Sequence, residues 1–179
     1  MRALLVIALV ASTAAADPLP SGALGLTFGG MSGTGADAKR IGYGYTFGFQ
    51  AAWQPMNTDR HWGWTLRWST LFGNLLYGAS AAKVDPSLRT VQMDVTGGLR
   101  LRPWANPSRY FTLRGGVEGL RTNEPLPPTN HRSFVGGIAE VGLDQYLGGF
   151  LFNVDIRYGL IGSEPSNIAL LVGVAITGP

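Results

Sequence analysis

Two histidines and no cysteine leave this 179-residue sequence few routes to covalent chemistry. Only His131-Arg132-Ser133 brings a base and a nucleophile within reach of each other. In an extended strand residues two apart share a face, so the His131 imidazole has the spacing to take the Ser133 proton while the hydroxyl attacks an ester. Nucleophile activation also needs a third group to orient the ring. Glu140, seven positions beyond Ser133, falls on the opposite face of a regular strand. His61, between Arg60 and Trp62, has no nucleophile beside it. No metal site or cofactor is expected: the histidines are far apart, and Asp37, Asp59 and Asp85 fall in different connections. The Gly-x-Gly steps form one face of alternating runs and are not a phosphate-binding turn.

A larger polar set is spread over five such runs: Arg67, Asp94, Arg100, Arg114, Glu118, Glu140, Asp144, Asp155 and Arg157. Each sits among Gly, Thr, Ser and Ala on a face opposite bulky apolar residues. A charge enclosed on such a face is tolerable only when paired and hydrogen-bonded. Both signs are present in near balance, so the set is expected to form an internal charge network. A conducting path is the alternative reading.

The elements that must carry these residues show period two. The clearest run is Ile41, Tyr43, Tyr45, Phe47, Phe49, Ala51 and Trp53, alternating with Gly42, Gly44, Thr46, Gly48, Gln50 and Ala52; such alternation makes a strand with two unlike faces. It recurs over 62–73, 91–101, 111–118, 135–144, 150–160 and 168–176, and with the Gly-rich 22–30 predicts eight strands. Long connections (31–40, 74–87, 121–132, 162–167) alternate with short ones (54–61, 103–108, 147–149). That asymmetry separates outer loops, with Lys39 and Lys83, from inner turns in an up-and-down transmembrane barrel. Trp53, Trp62, Trp64, Trp104 and Tyr110 cluster beside the short turns, as an interfacial aromatic girdle requires.

Charged residues make up 14% of the chain, against ~25% for soluble globular proteins. A soluble eight-stranded barrel alternates too, but with a charged face outward. Here the second face is mostly small, which suits a narrow lumen. The positions expected to face lipid (Tyr43, Tyr45, Phe47, Phe49, Leu66, Trp68, Val91, Met93, Val95, Leu113, Val117, Phe152, Val154, Ile156, Val172 and Val174) include no Lys, Arg, Asp or Glu; one cation there costs ~2–4 kcal/mol near the bilayer midplane. The net charge of +3 is scattered, without the concentrated basic face that nucleic acid requires. Met1-Arg2, the apolar run to Val10 and the small residues before Asp17 read as a cleaved signal peptide over 1–16. Residues 17–179 then form one barrel domain.

This architecture resembles the small eight-stranded bacterial outer-membrane β-barrels, the class that contains the transmembrane domain of outer membrane protein A. The resemblance covers nearly all of the mature chain and rests on architecture, without a motif that names a subfamily. It departs at the C-terminus, where Ile176-Thr177-Gly178-Pro179 replaces the usual terminal aromatic. It implies an all-β, eight-stranded antiparallel fold and residence in the bacterial outer membrane. The partners it implies are membrane lipids, the barrel assembly machinery during insertion, and envelope or surface components met through the outer loops. His131-Arg132-Ser133 also resembles the catalytic element of outer-membrane lipid A deacylases, but its neighbours do not reproduce that family's sequence. A structural or surface-interaction role is therefore weighed against a lipid-modifying enzyme, and against a narrow channel or small hydrophobic-ligand carrier. Composition favours the first, without catalysis.

Overall fold

A computed structural model describes residues 22–34, 42–54, 61–76, 87–106, 108–126, 131–160 and 166–178. The signal segment, Lys39, Lys83 and the Asp37, Asp59 and Asp85 positions lie outside the described residues. Eight strands follow in chain order: β1 (Gly22–Gly33), β2 (Tyr43–Trp53), β3 (Trp62–Leu76), β4 (Ser87–Leu101), β5 (Arg109–Leu126), β6 (His131–Leu147), β7 (Phe150–Leu160) and β8 (Ser166–Gly178). Each pairs antiparallel with the next, and β1 pairs with β8 from Gly22↔Gly178 to Gly33↔Asn167, closing the barrel. Closure leaves no unpaired strand edge, which a membrane-spanning sheet requires.

The alternation seen in the sequence becomes the inside and outside of this barrel. In β7 every second residue is buried, from Leu151 through Asn153, Asp155 and Arg157 to Gly159, and those between are exposed. Phe47, Phe49, Trp68, Met93, Val95, Leu113, Val117, Val154 and Ile156 all point out and are exposed. An exterior of large apolar side chains this broad suits lipid and not water. The β6–β7 hairpin turns on Gly148 and Gly149, with Gly148 at φ 47°, in the left-handed region where a side chain would be strained.

Two features differ from the sequence reading. Most of the expected long connection over 121–132 is strand: β5 runs to Leu126, β6 begins at His131, and a register shift separates the Arg121↔Ser133 and Leu126↔His131 pairs. Polar residues dominate this stretch, so hydrophobic alternation does not mark it, and the irregularity accommodates Pro125, which has no ladder N–H to give. β1 and β3 also extend past their expected ends, over 31–33 and 74–76. The second difference is inside: the lumen is not uniformly small and polar. Met31, Leu71, Leu75, Leu88, Ala169 and Leu171 form a buried apolar layer toward the loop end, with Phe134 packed against it. Ala23, Tyr110, Tyr146, Leu151 and Ala175 form another toward the turn end.

Candidate functional site

Between those two apolar layers lies a continuous ionic network built from the inward positions of β3 to β7. Glu140, on β6, is its hub, accepting from Arg67, Arg114 and Arg157. Asp155 accepts from Arg67 Nη1 and Arg114 Nη2, both at 2.7 Å. Arg157 Nη1 reaches Asp94 at 2.7 Å, and its Nη2 donates to Ser69 Oγ at 2.9 Å. The Ser69 hydroxyl in turn donates to Asp94 at 2.7 Å. Neutral amides extend the network: Asn153 donates to Asp155, and Gln50 Nε2 donates to Asn153 Oδ1 at 2.7 Å.

Charge-assisted bonds of this kind are the strong class, and here they tie β3 to β6 and β7 across the lumen. Arg67, Arg114 and Arg157 are each enclosed, with 4% or less of their surface exposed. Glu118 stands apart from the arginines, accepting from Gln92 Nε2 at 2.6 Å and from Asn167 Nδ2 at 3.4 Å.

Arg100 sits nearer the turn end, between Asp144 at 3.7 Å and the Tyr110 ring, whose centroid is 4.0 Å from the guanidinium carbon. The Tyr146 ring flanks the same guanidinium at 5.1 Å, and its hydroxyl donates to Gln54 Oε1 at 2.9 Å. A cation over an aromatic face gains from the ring quadrupole, so this group caps the network with a packed layer. It also corrects the girdle. Tyr110 is completely buried: β5 begins at Arg109, and Tyr110 shares the inward phase of Thr112 and Arg114. Trp53, Trp62, Trp64 and Trp104 are exposed at the turn end, where Trp62 and Trp64 meet edge to face at 6.3 Å.

A cavity beside Gln50, Arg67, Arg114 and Asp144 measures about 10 Å³, at most the room of one water. Apolar layers lie above and below the charges.

His131 and Ser133 open β6 on its outward face, both exposed, while Glu140 points inward. No described carboxylate hydrogen-bonds the imidazole. His61, also exposed, offers its carbonyl to Arg102 N at 2.8 Å in the turn region. Among the described residues no group of three His, Asp or Glu is placed to hold a metal ion. The apolar layers are what the sequence reading missed. Their signal was present in Leu71, Leu75 and Leu88, which interrupt the small face, but apolar residues on both faces blur the period.

No model of a known protein family and no curated protein sequence matches this chain. Solved structures do match in fold. Ail, the attachment invasion locus protein of Yersinia pestis, superposes with a TM-score of 0.59 at 11% identity, over 88% of this chain and 98% of Ail. Ail in complex with the heparin analogue sucrose octasulfate gives 0.57 at 13% identity, over 87% and 98%. Neisserial surface protein A gives 0.60 at 8% identity, over 90% and 100%. At these identities the likeness is one of fold: a small outer-membrane β-barrel.

Proposed function

We propose that this chain is an exported bacterial outer-membrane barrel with a structural or surface-contact role, whose lumen is closed by its charge network. The observation that carries the reading is the combination of an exterior apolar band with an interior whose ionic network is flanked by apolar layers on both sides. With a wall suited to lipid and a bore lined by paired charges, the loop end is the part of the barrel left for contact in this reading. Two fold relatives support that direction by name, one an attachment invasion locus protein and one a surface protein. The complex of Ail with a sulfated heparin analogue makes anionic polysaccharide the first partner chemistry to examine.

The full chain, expressed in a Gram-negative host, is expected to fractionate with the outer membrane. Reconstituted in planar bilayers it is expected to give no current steps. Sustained conductance would replace this reading with a channel. Cells carrying the protein are expected to be retained on sulfated-polysaccharide surfaces more than cells lacking it; equal retention would remove the surface-contact part.

A further inference from the structure

The outward wall of β3 to β6 is not evenly covered. Trp68, Met93, Val95, Val117, Gly119 and Val135 line a depression of about 190 Å³ in the lipid-facing surface. The side chains of Asp94 and Glu118, whose strands floor it, are buried in the lumen, so no carboxylate faces an occupant. The hollow is not forced by the backbone. A Cβ on Gly119 would come no closer than 3.9 Å to any atom, so a side chain fits there and the glycine leaves apolar space open.

A cationic group stands directly beyond this hollow on the loop side. Arg121 is two residues past Gly119 on the same face of β5, and its cross-strand neighbours are Val91 on β4 and Ser133 on β6. Arg89 is two residues before Val91, on the same outward face, a diagonal neighbour of Arg121 at the ~7–8 Å spacing of such pairs. Both arginines are exposed, and neither forms an ion pair among the described residues. Guanidinium groups suit phosphate because their planar forks bind its oxygens in pairs. A hydroxyl stands next to them in Ser133.

From this juxtaposition we infer a lipid site on the outer wall: one acyl chain of a phosphorylated membrane lipid lies in the Trp68–Val135 hollow, and its phosphate is held by Arg121 and Arg89 beside Ser133. The order of the parts is that of a lipid in the leaflet at the loop end, charge at the interface and tail toward the midplane. The inference rests on the lipid-facing reading of the exterior. It gives Ser133 a binding role where the sequence suggested a nucleophile.

The test uses the full chain in detergent, native mass spectrometry, and palmitoyl-oleoyl phosphatidic acid as the probe, with the matching phosphatidylcholine, a net-neutral zwitterion whose phosphate is capped by choline, as the comparison. One phosphatidic acid is expected to stay bound and phosphatidylcholine to be lost. Removing a charge-assisted contact (Arg121→Gln) or filling the hollow (Gly119→Leu) is each expected to lower the bound fraction about tenfold. Arg102→Gln, at the turn end, is expected to leave it unchanged. Equal retention of the two lipids, or loss in Arg102→Gln as large as in Arg121→Gln, would overturn the site. So would an unaffected Gly119→Leu, which would reduce the binding to bare charge, or a dimer in place of the lipid adduct. Resistance of the vesicle-inserted protein to extraction by urea reports separately on the membrane-spanning reading, so the two fail independently.

Discussion

Glu140 shows why single residues in this lumen are not interchangeable. It receives three guanidinium groups from three different strands, and each arginine also serves a second carboxylate. Removing Arg157 leaves Asp94 buried without its ion-pair partner, which costs about 3–5 kcal/mol. Arg157→Leu is thus expected to lower the unfolding free energy in detergent by that amount, read from urea titrations. Adding Asp94→Leu should recover part of the loss, because an apolar pair leaves fewer unmet charges than half an ion pair. An additive result would mean the lumen is wet enough to hydrate the orphaned group. On the exterior, His131 lacks a described carboxylate to orient it. Lipid A from cells expressing the protein is therefore expected to keep all its acyl chains, and Ser133→Ala to change nothing in its mass spectrum; loss of a chain with the parent protein alone would establish a deacylase.

At the scale of the strand, neighbouring positions carry opposite demands. On β4 a Cβ added to Gly98 would meet Arg114 Cα at 2.8 Å, whereas at Gly97 the nearest atoms are 3.8 Å away. Gly98→Val is expected to cost at least ~1–3 kcal/mol through overpacking or to block assembly, and Gly97→Val to fold normally, as judged by the heat-dependent gel mobility of folded barrels. Topology is testable too: cysteine at Ser133 should react with an impermeant maleimide on intact cells, and cysteine at His61 should not. Reversed labelling would invert the barrel. Strands β2 and β7 were legible because a bulky apolar face opposes a small or polar one over most of their length. The tail of β5 was not, since Arg121 to Leu126 carries polar side chains on both faces and a proline. Tyr110 was misassigned because proximity to a turn says nothing about phase; counting from Thr112 and Arg114 places it inside.

For the whole molecule, the central claim is that this barrel is inside out relative to a soluble one, with its charges within and its apolar side chains toward lipid. The arginines and carboxylates were legible as an inward set, but which ones meet was not: pairing across the lumen depends on strand order and stagger, which no single run of sequence records. The apolar layers that flank the network were hidden for a related reason, because a leucine on the small face looks like noise until the closed ladder stacks it on others from different strands. The most direct measurement places nitroxide spin labels singly at Phe152, Val154, Ile156 and Tyr158, four of the outward positions of β7, in the protein reconstituted into lipid vesicles, and compares collision with oxygen against collision with a polar nickel chelate. High oxygen and low chelate accessibility, greatest in contrast at Val154 and Ile156, is the predicted result. Chelate access at those two positions equal to that of a label on a water-exposed turn would contradict the account.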